Sequence, residues 1–155
     1  MNKKIILLLI LFFGLSHCGF APLYTNKTNI NFSISSIKLE GDRTINNFLR
    51  ANLNQYQNNS YDRKFDIIAI TEYKKNILSK NKAANATNYQ LSSNTIFQII
   101  SNGKKIKKFN VSEKKVMDNI NDDFEEQKNE RIHKQNFASS ISNKLLTELS
   151  MLNDN

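Results

Sequence analysis

Apolar and polar residues take turns along most of this chain, with a period of two in four stretches and a helical period in two others. Ile30, Phe32 and Ile34 alternate, and Ile37 and Leu39 continue in the opposite parity beyond Ser35-Ser36. That pattern predicts one strand with a bulge, or two short ones. Glu40-Gly41-Asp42 interrupts it, and Asp42 is placed to cap a helix. Ile45, Phe48, Leu49, Leu53 and Tyr56 then recur at i, i+3 and i+4, which predicts an amphipathic helix over Arg43 to Gln57, ended by Asn58-Asn59-Ser60.

Phe65 to Leu78 is rich in β-branched and aromatic residues and reads as a long strand. Lys80 to Thr87 is a polar connection, and Asn88 to Ser101 is a second long strand with Tyr89, Leu91, Phe97 and Ile99 on one side. Asn102-Gly103 supplies the two positive-φ positions of a type I′ hairpin turn. Lys104 to about Val116 returns as another strand, although Ile106 is out of phase with Phe109 and Val111. Asp122 and Glu125 stand at capping-box spacing, in an acidic stretch suited to the positive end of a helix dipole. Phe137, Ala138, Ile141, Leu145, Leu149 and Leu152 form the apolar stripe of a C-terminal helix. The order is β-α-β-β-β-α. An α+β fold follows, a four-stranded sheet with two helices packed on one face, because that arrangement buries both stripes.

The N-terminus follows a different rule. Met1-Asn2-Lys3-Lys4 precedes an apolar run from Ile5 to Leu15, interrupted only by Gly14. A basic start, a short apolar run and a small polar exit have the form of a secretory signal. The competing assignment is a membrane anchor, but eleven helical residues reach only about 16 Å against a hydrocarbon core of about 30 Å. Residues 1–17 are therefore expected to be a lipoprotein signal peptide, residues 18–29 a lipidated tether, and residues 30–155 a single domain.

Cys18 closes that signal and is the only cysteine in 155 residues. A lone cysteine excludes an internal disulfide, and directly after an export signal it has a specific use. Diacylglycerol is attached to the thiol, cleavage makes it residue one, and a further acyl group goes on its new amine. Several buried chains at about 0.8 kcal/mol per CH₂ hold a protein stably where one would not. Leu15 and Ser16 suit the bacterial lipoprotein pattern, whereas His17 stands where Gly, Ala or Ser is usual. No other cofactor is expected.

Charge sharpens the division. The chain carries +8 overall, and residues 63–115 alone hold twelve basic and three acidic side chains. Residues 116–155 hold four basic and eight acidic. Lys74, Lys75, Lys80, Lys82, Lys104, Lys105, Lys107 and Lys108 thus collect on the long strands and their ends. Phosphates and carboxylates of an anionic partner are attracted to such a region over roughly 8 to 10 Å at physiological salt. Lysines also protect strand edges from pairing, and the two roles are compatible.

Cys18-Gly19-Phe20-Ala21-Pro22-Leu23-Tyr24, read as CGF-x-PLY after a lipoprotein signal, resembles the start of the LptE family of lipopolysaccharide-assembly lipoproteins, alphaproteobacterial type. The resemblance continues in the order of strand, Gly41-Asp42-Arg43, helix, long hairpin strands and C-terminal helix. It implies a function without catalysis. LptE-like proteins lie on the periplasmic side of the outer membrane, lipid-anchored, where they plug and support assembly of the LptD β-barrel translocon and assist lipopolysaccharide insertion into the outer leaflet. The implied partners are an LptD-like β-barrel protein, lipopolysaccharide and the outer membrane itself; the eight lysines are the implied lipopolysaccharide contacts. A similar CG…PLY start occurs in auxiliary lipoproteins of ABC transporters, so that role, or another periplasmic lipid-binding module, is the alternative.

Other chemistries find little support. His133 with Ser139 and Ser140 lacks any nucleophile motif, so no catalytic residue is assigned. Asp118, Asp122, Asp123, Glu125 and Glu126 lack the glycine and register of a Ca²⁺ loop, so no metal is expected. Asn102-Gly103-Lys104-Lys105 lacks the glycines and helix of a phosphate loop. An exported chain does not meet cellular nucleic acid, so none is expected as a partner.

Overall fold

Alternation along the chain becomes a sheet with one dry and one wet face. The computed structural model describes residues 31–57 and 61–152. The expected signal peptide, Cys18, the tether, Ile30 and the Asn58-Asn59-Ser60 break lie outside the described residues. The elements are β1 (Phe32–Gly41), α1 (Arg43–Leu53) running into a 3₁₀ turn (Asn54–Tyr56), β2 (Arg63–Lys80), β3 (Ala86–Ser101), β4 (Lys104–Asp118) and α2 (Asp123–Met151). Sheet order is β1-β2-β3-β4, with β1 parallel to β2 and the remaining pairs antiparallel. This is the expected α+β order.

On the dry face, Phe65, Ile67, Ala69 and Thr71 of β2 and Leu91, Ser93, Thr95, Phe97 and Ile99 of β3 are all buried. Ile45, Leu49 and Leu53 of α1 cover the β1 side, and Phe137, Ala138, Ile141, Leu145 and Leu149 of α2 complete the core. Burying each large apolar side chain stabilises by about 1.5 to 3 kcal/mol relative to exposure. Thr71 and Thr95 sit in this layer because their hydroxyls satisfy each other at 3.1 Å. Asn52 Nδ2 donates to Ser142 Oγ at 3.2 Å, joining the two helices.

Two irregularities that the apolar pattern hinted at are bulges. The β1–β2 register shifts between Ile34 and Ser36, which explains the parity change across Ser35-Ser36. The β3–β4 register shifts where Ile99 faces Lys107 and Ile100 faces Lys105, so Ile106 is the extra residue. That accounts for its phase against Phe109 and Val111. At the turn, Asn102 has φ 50° and Gly103 φ 74°, both positive as the Asn-Gly pair predicts.

Gly41 makes the turn from β1 into α1 possible. Its φ is +96°, and a Cβ there would lie 2.0 Å from the Thr71 carbonyl oxygen. The next backbone N–H, of Asp42, donates to that same carbonyl at 2.9 Å. Asp42 then caps α1 by accepting from the Ile45 N–H at 2.8 Å.

Some ends differ from expectation. The α-helix stops at Leu53 instead of Gln57, and its last turn tightens to 3₁₀ over Asn54, Gln55 and Tyr56. Asn is a poor helix former, and the tighter turn accompanies a ring contact of Tyr56 with Phe32 at 6.5 Å. The long strands run past the apolar pattern, to Lys80, Ala86 and Asp118, because backbone pairing continues where side chains are polar. The sheet therefore has two poles. One holds the β2–β3 connection and the start of α2; the other holds the Asn102-Gly103 turn and the start of β1.

Candidate functional site

The eight candidate lysines separate between those poles. Lys74 is level with Ser92 and Lys80 with Ala86, whereas Lys104 is level with Ser101. Nine strand residues between Ser92 and Ser101 span about 30 Å. Lys74, Lys75, Lys80 and Lys82 thus form one group, near Lys114 and Lys115, while Lys104, Lys105, Lys107 and Lys108 form another. The eight therefore do not form one site.

Nor are the eight equivalent. Lys75 hydrogen-bonds Glu126 at 2.6 Å and Glu130 at 3.1 Å. Lys107 pairs with Glu148. Their charges already have carboxylate partners, which leaves Lys80, Lys82, Lys104, Lys105 and Lys108 with none among the described residues. Lys74 has only a distant one, Glu72 at 3.9 Å.

Lys75 belongs to a seam that fastens the polar half of α2 to the sheet. Its Nζ lies 4.4 Å from the Tyr89 ring centroid, and farther along the helix Lys134 Nζ lies 3.9 Å from that of Tyr73. Lys134 bonds Asp42 Oδ2 at 3.0 Å and approaches Glu130 at 3.6 Å. Asp42 therefore caps α1 with one carboxylate oxygen and holds α2 with the other. The side chains of Lys75, Glu126, Glu130, Lys134 and Asp42 are 15–24% exposed, so water screens these pairs only partly.

Electrostatics follow from that geometry. Burial alone would raise the Glu130 pKa, but hydrogen bonding to Lys75 and the nearby Lys134 charge outweigh it and hold the carboxyl below its ordinary range. Lys75 is shifted up by the same pairing, against its own desolvation. Burial, reinforced by the Glu130 and Asp42 carboxylates, pushes the Tyr73 hydroxyl far up and keeps it protonated. The helical spacing of Glu126, Glu130 and Lys134, each four residues on, is the sequence signal that could have found the seam.

Most of the residues weighed for other chemistry have structural duties. Asp122 caps α2 by accepting from the N–H groups of Phe124 and Glu125, and Asp118 accepts from Asn88 Nδ2 at 2.6 Å. Glu125 pairs with Lys128 on the helix surface. Ser140 Oγ donates to Glu113, and Ser139 Oγ to the Gln135 carbonyl, one turn back. Burial and the Lys115 charge lower the His133 pKa. Between α1 and α2, next to the seam, lies an open cleft of about 360 Å³ lined by Thr44, Phe48, Glu130, Arg131 and Lys134 among others. Among the described residues, no helix is long and apolar enough to cross a membrane.

No protein-family model matches the chain, and no curated protein matches it by sequence. Solved structures do match it in fold. Rare lipoprotein B from Shewanella oneidensis aligns with a TM-score of 0.57 at 11% identity, over 74% of this chain and 93% of that one. A minor lipoprotein from Acinetobacter baumannii gives 0.52 at 16%, over 74% and 92%. Lipoprotein B from Nitrosomonas europaea gives 0.56 at 10%, over 78% and 86%. At such identities the likeness is one of fold, and it extends over nearly the full length of each of these proteins.

Proposed function

We infer that this chain is a lipoprotein of the outer membrane that works without catalysis, as the LptE-like partner of a β-barrel lipopolysaccharide translocon. The observation that carries this reading is a coincidence of two independent signals. A chain whose sequence places a lone Cys18 directly after an export signal, followed by CGF-x-PLY, adopts a fold shared with proteins named as bacterial lipoproteins. In this reading Cys18 carries the diacylglycerol and N-acyl groups, and the domain sits on the periplasmic side. There it occupies and supports assembly of an LptD-like barrel and assists lipopolysaccharide insertion. The exposed lysines free of carboxylate partners are the groups suited to glycolipid phosphates: Lys80, Lys82 and the nearly free Lys74 at one pole, or Lys104, Lys105 and Lys108 at the other.

Affinity isolation of the tagged full chain from solubilised envelopes of its native cell tests this directly. A large β-barrel protein is expected to co-purify at near-equal amount. Recovery of an inner-membrane ABC transporter instead would replace this reading with that of a transporter auxiliary lipoprotein. Intact mass of the isolated chain reports separately whether Cys18 is acylated.

A further inference from the structure

The two poles differ in charge, and the chain's own N-terminus enters at one of them. β1 begins at Phe32 beside Arg63, and Ser101 Oγ donates to the Lys64 carbonyl at 3.3 Å. The Asn102-Gly103 turn therefore lies at the end of the domain to which residues preceding Asn31 connect. Around it stand Arg63, Lys64, Lys104, Lys105, Lys107 and Lys108 against Asp62, Asp66 and Glu148. Glu148 is paired with Lys107, and Asp66 accepts from Ser36 Oγ at 2.7 Å while keeping its charge, so basic groups remain in excess. The opposite pole is balanced. Lys74, Lys75, Lys80, Lys82, Lys114, Lys115 and Lys128 face Glu72, Asp118, Asp122, Asp123, Glu125, Glu126 and Glu130, and the Asn119 N–H bond to the Thr87 carbonyl holds the start of α2 there.

The bulge adds a second feature. Ile106 is 45% exposed, extruded from the ladder between Lys105 and Lys107, with Lys104 and Lys108 also exposed. Lysines around a protruding apolar side chain suit a surface that is anionic outside and apolar just beneath; Ile77, Leu78 and Val116 also protrude at the opposite pole, so net charge is what separates the two. Thirteen residues separate Cys18 from Phe32, a reach of at most about 45 Å.

We propose that the β3–β4 hairpin pole, with Lys64, Lys104, Lys105, Ile106 and Lys108, docks on the anionic phospholipid surface of the leaflet that holds the anchor. Before it occupies a barrel, the free anchored domain then stands with its Asn102-Gly103 turn on the headgroups and its β2–β3 connection pointing away, which leaves Lys74, Lys80 and Lys82 as the lysines available to glycolipid. The orientation rests on acylation of Cys18, but the surface itself does not, and the two are tested apart.

The probe is vesicles of phosphatidylglycerol with phosphatidylcholine, against phosphatidylcholine alone, mixed with the chain from residue 18 carrying Cys18→Ser so that no acyl group contributes. Co-sedimentation is expected only with the anionic vesicles. K104E/K105E/K108E is expected to weaken it by roughly tenfold or more, since each lysine at an anionic surface contributes on the order of 1 kcal/mol. K80E/K82E/K114E makes the same change in net charge and is expected to lower binding by less than threefold. Ile106→Ser, which alters no charge, is expected to weaken binding severalfold. Circular dichroism confirms that each variant is folded. Equal losses from the two triple variants, or a larger loss from the second, overturn the proposal, because attraction would then follow total charge. A loss seen with lipopolysaccharide micelles but not with phosphatidylglycerol overturns it as well and assigns the hairpin to the glycolipid. Absence of acyl groups on the native chain would contradict the lipoprotein reading, and pole-specific binding would stand beside it.

Discussion

The two halves of α2 are one continuous helix attached to the sheet by different chemistry. From Phe137 to Leu149 it buries Phe137, Ala138, Ile141, Leu145 and Leu149 in the common core, with the Lys144–Glu113 and Glu148–Lys107 pairs added at its edge. From Asp123 to Asn136 it buries no large side chain, and Phe124 and Ile132 are exposed. Lys75, Glu126, Glu130, Lys134 and Asp42 hold that half instead. Apolar burial is indifferent to pH and nearly so to salt, whereas a partly buried ion network depends on both. A helix attached in this way has one end that stays fixed under most conditions and another that can be released by charge.

Substitutions can break that contrast in order of expected size. Leu145→Ala removes a fully buried side chain and is expected to cost about 2 to 5 kcal/mol in a denaturant melt, with no change in pH dependence. Asp42→Ala removes a helix cap and an ion pair together and is expected to cost about 2 to 3 kcal/mol. Asp42→Asn keeps the cap and should lose only part of that. Equal costs for the two would show that the Lys134 contact contributes nothing.

Glu130→Gln is expected to cost about 1 to 2 kcal/mol at pH 7, because it weakens the Lys75 and Lys134 contacts while leaving a group that still hydrogen-bonds. Its signature lies in hydrogen exchange: residues 124–136 should lose protection while residues 138–149 keep it. The acid response has a definite sign. Glu130, which holds the first half, has a folded pKa below the ordinary 4.5; Glu113 is lowered as well, but it binds Ser140 and Lys144 of the second half, where apolar burial remains when it is protonated. The stability they contribute is complete above that value and disappears as pH falls through their lower folded pKa. Below about pH 4.5, amides of the first half of α2 should therefore exchange faster before those of the second half do, and E130Q should flatten that response. Simultaneous loss along the whole helix would erase the distinction. At the small end, Lys128→Ala removes only an exposed pair with Glu125, and a shift above about 0.5 kcal/mol would be unexpected.

Much of the fold was legible in local pattern. Alternation, β-branched content and the Asn-Gly turn together located all four strands, the parity change across Ser35-Ser36 marked a real bulge, and Asn102-Gly103 and Asp42 did what their chemistry suggests. What stayed hidden was non-local. The phase error at Ile106 became intelligible only once β4 was in register with β3. Lys75 and Lys107 looked like their neighbours in sequence, but their carboxylate partners lie 51 or 55 and 41 residues away in the chain. No pattern within one strand reveals such partners. The separation of the lysines into two poles likewise depends on which strands pair and where, which composition cannot express. Conversely, Cys18 and the apolar run before it lie outside the described residues and are read from sequence alone.

The most direct measurement is depletion of this protein in its native cell, followed by quantification of the LptD-like barrel in the outer membrane and of lipopolysaccharide at the cell surface. If the chain is the barrel's assembly partner, folded barrel and surface lipopolysaccharide fall together, and re-expression of the acylated chain restores both. Unchanged barrel and unchanged surface lipopolysaccharide after full depletion would contradict that role.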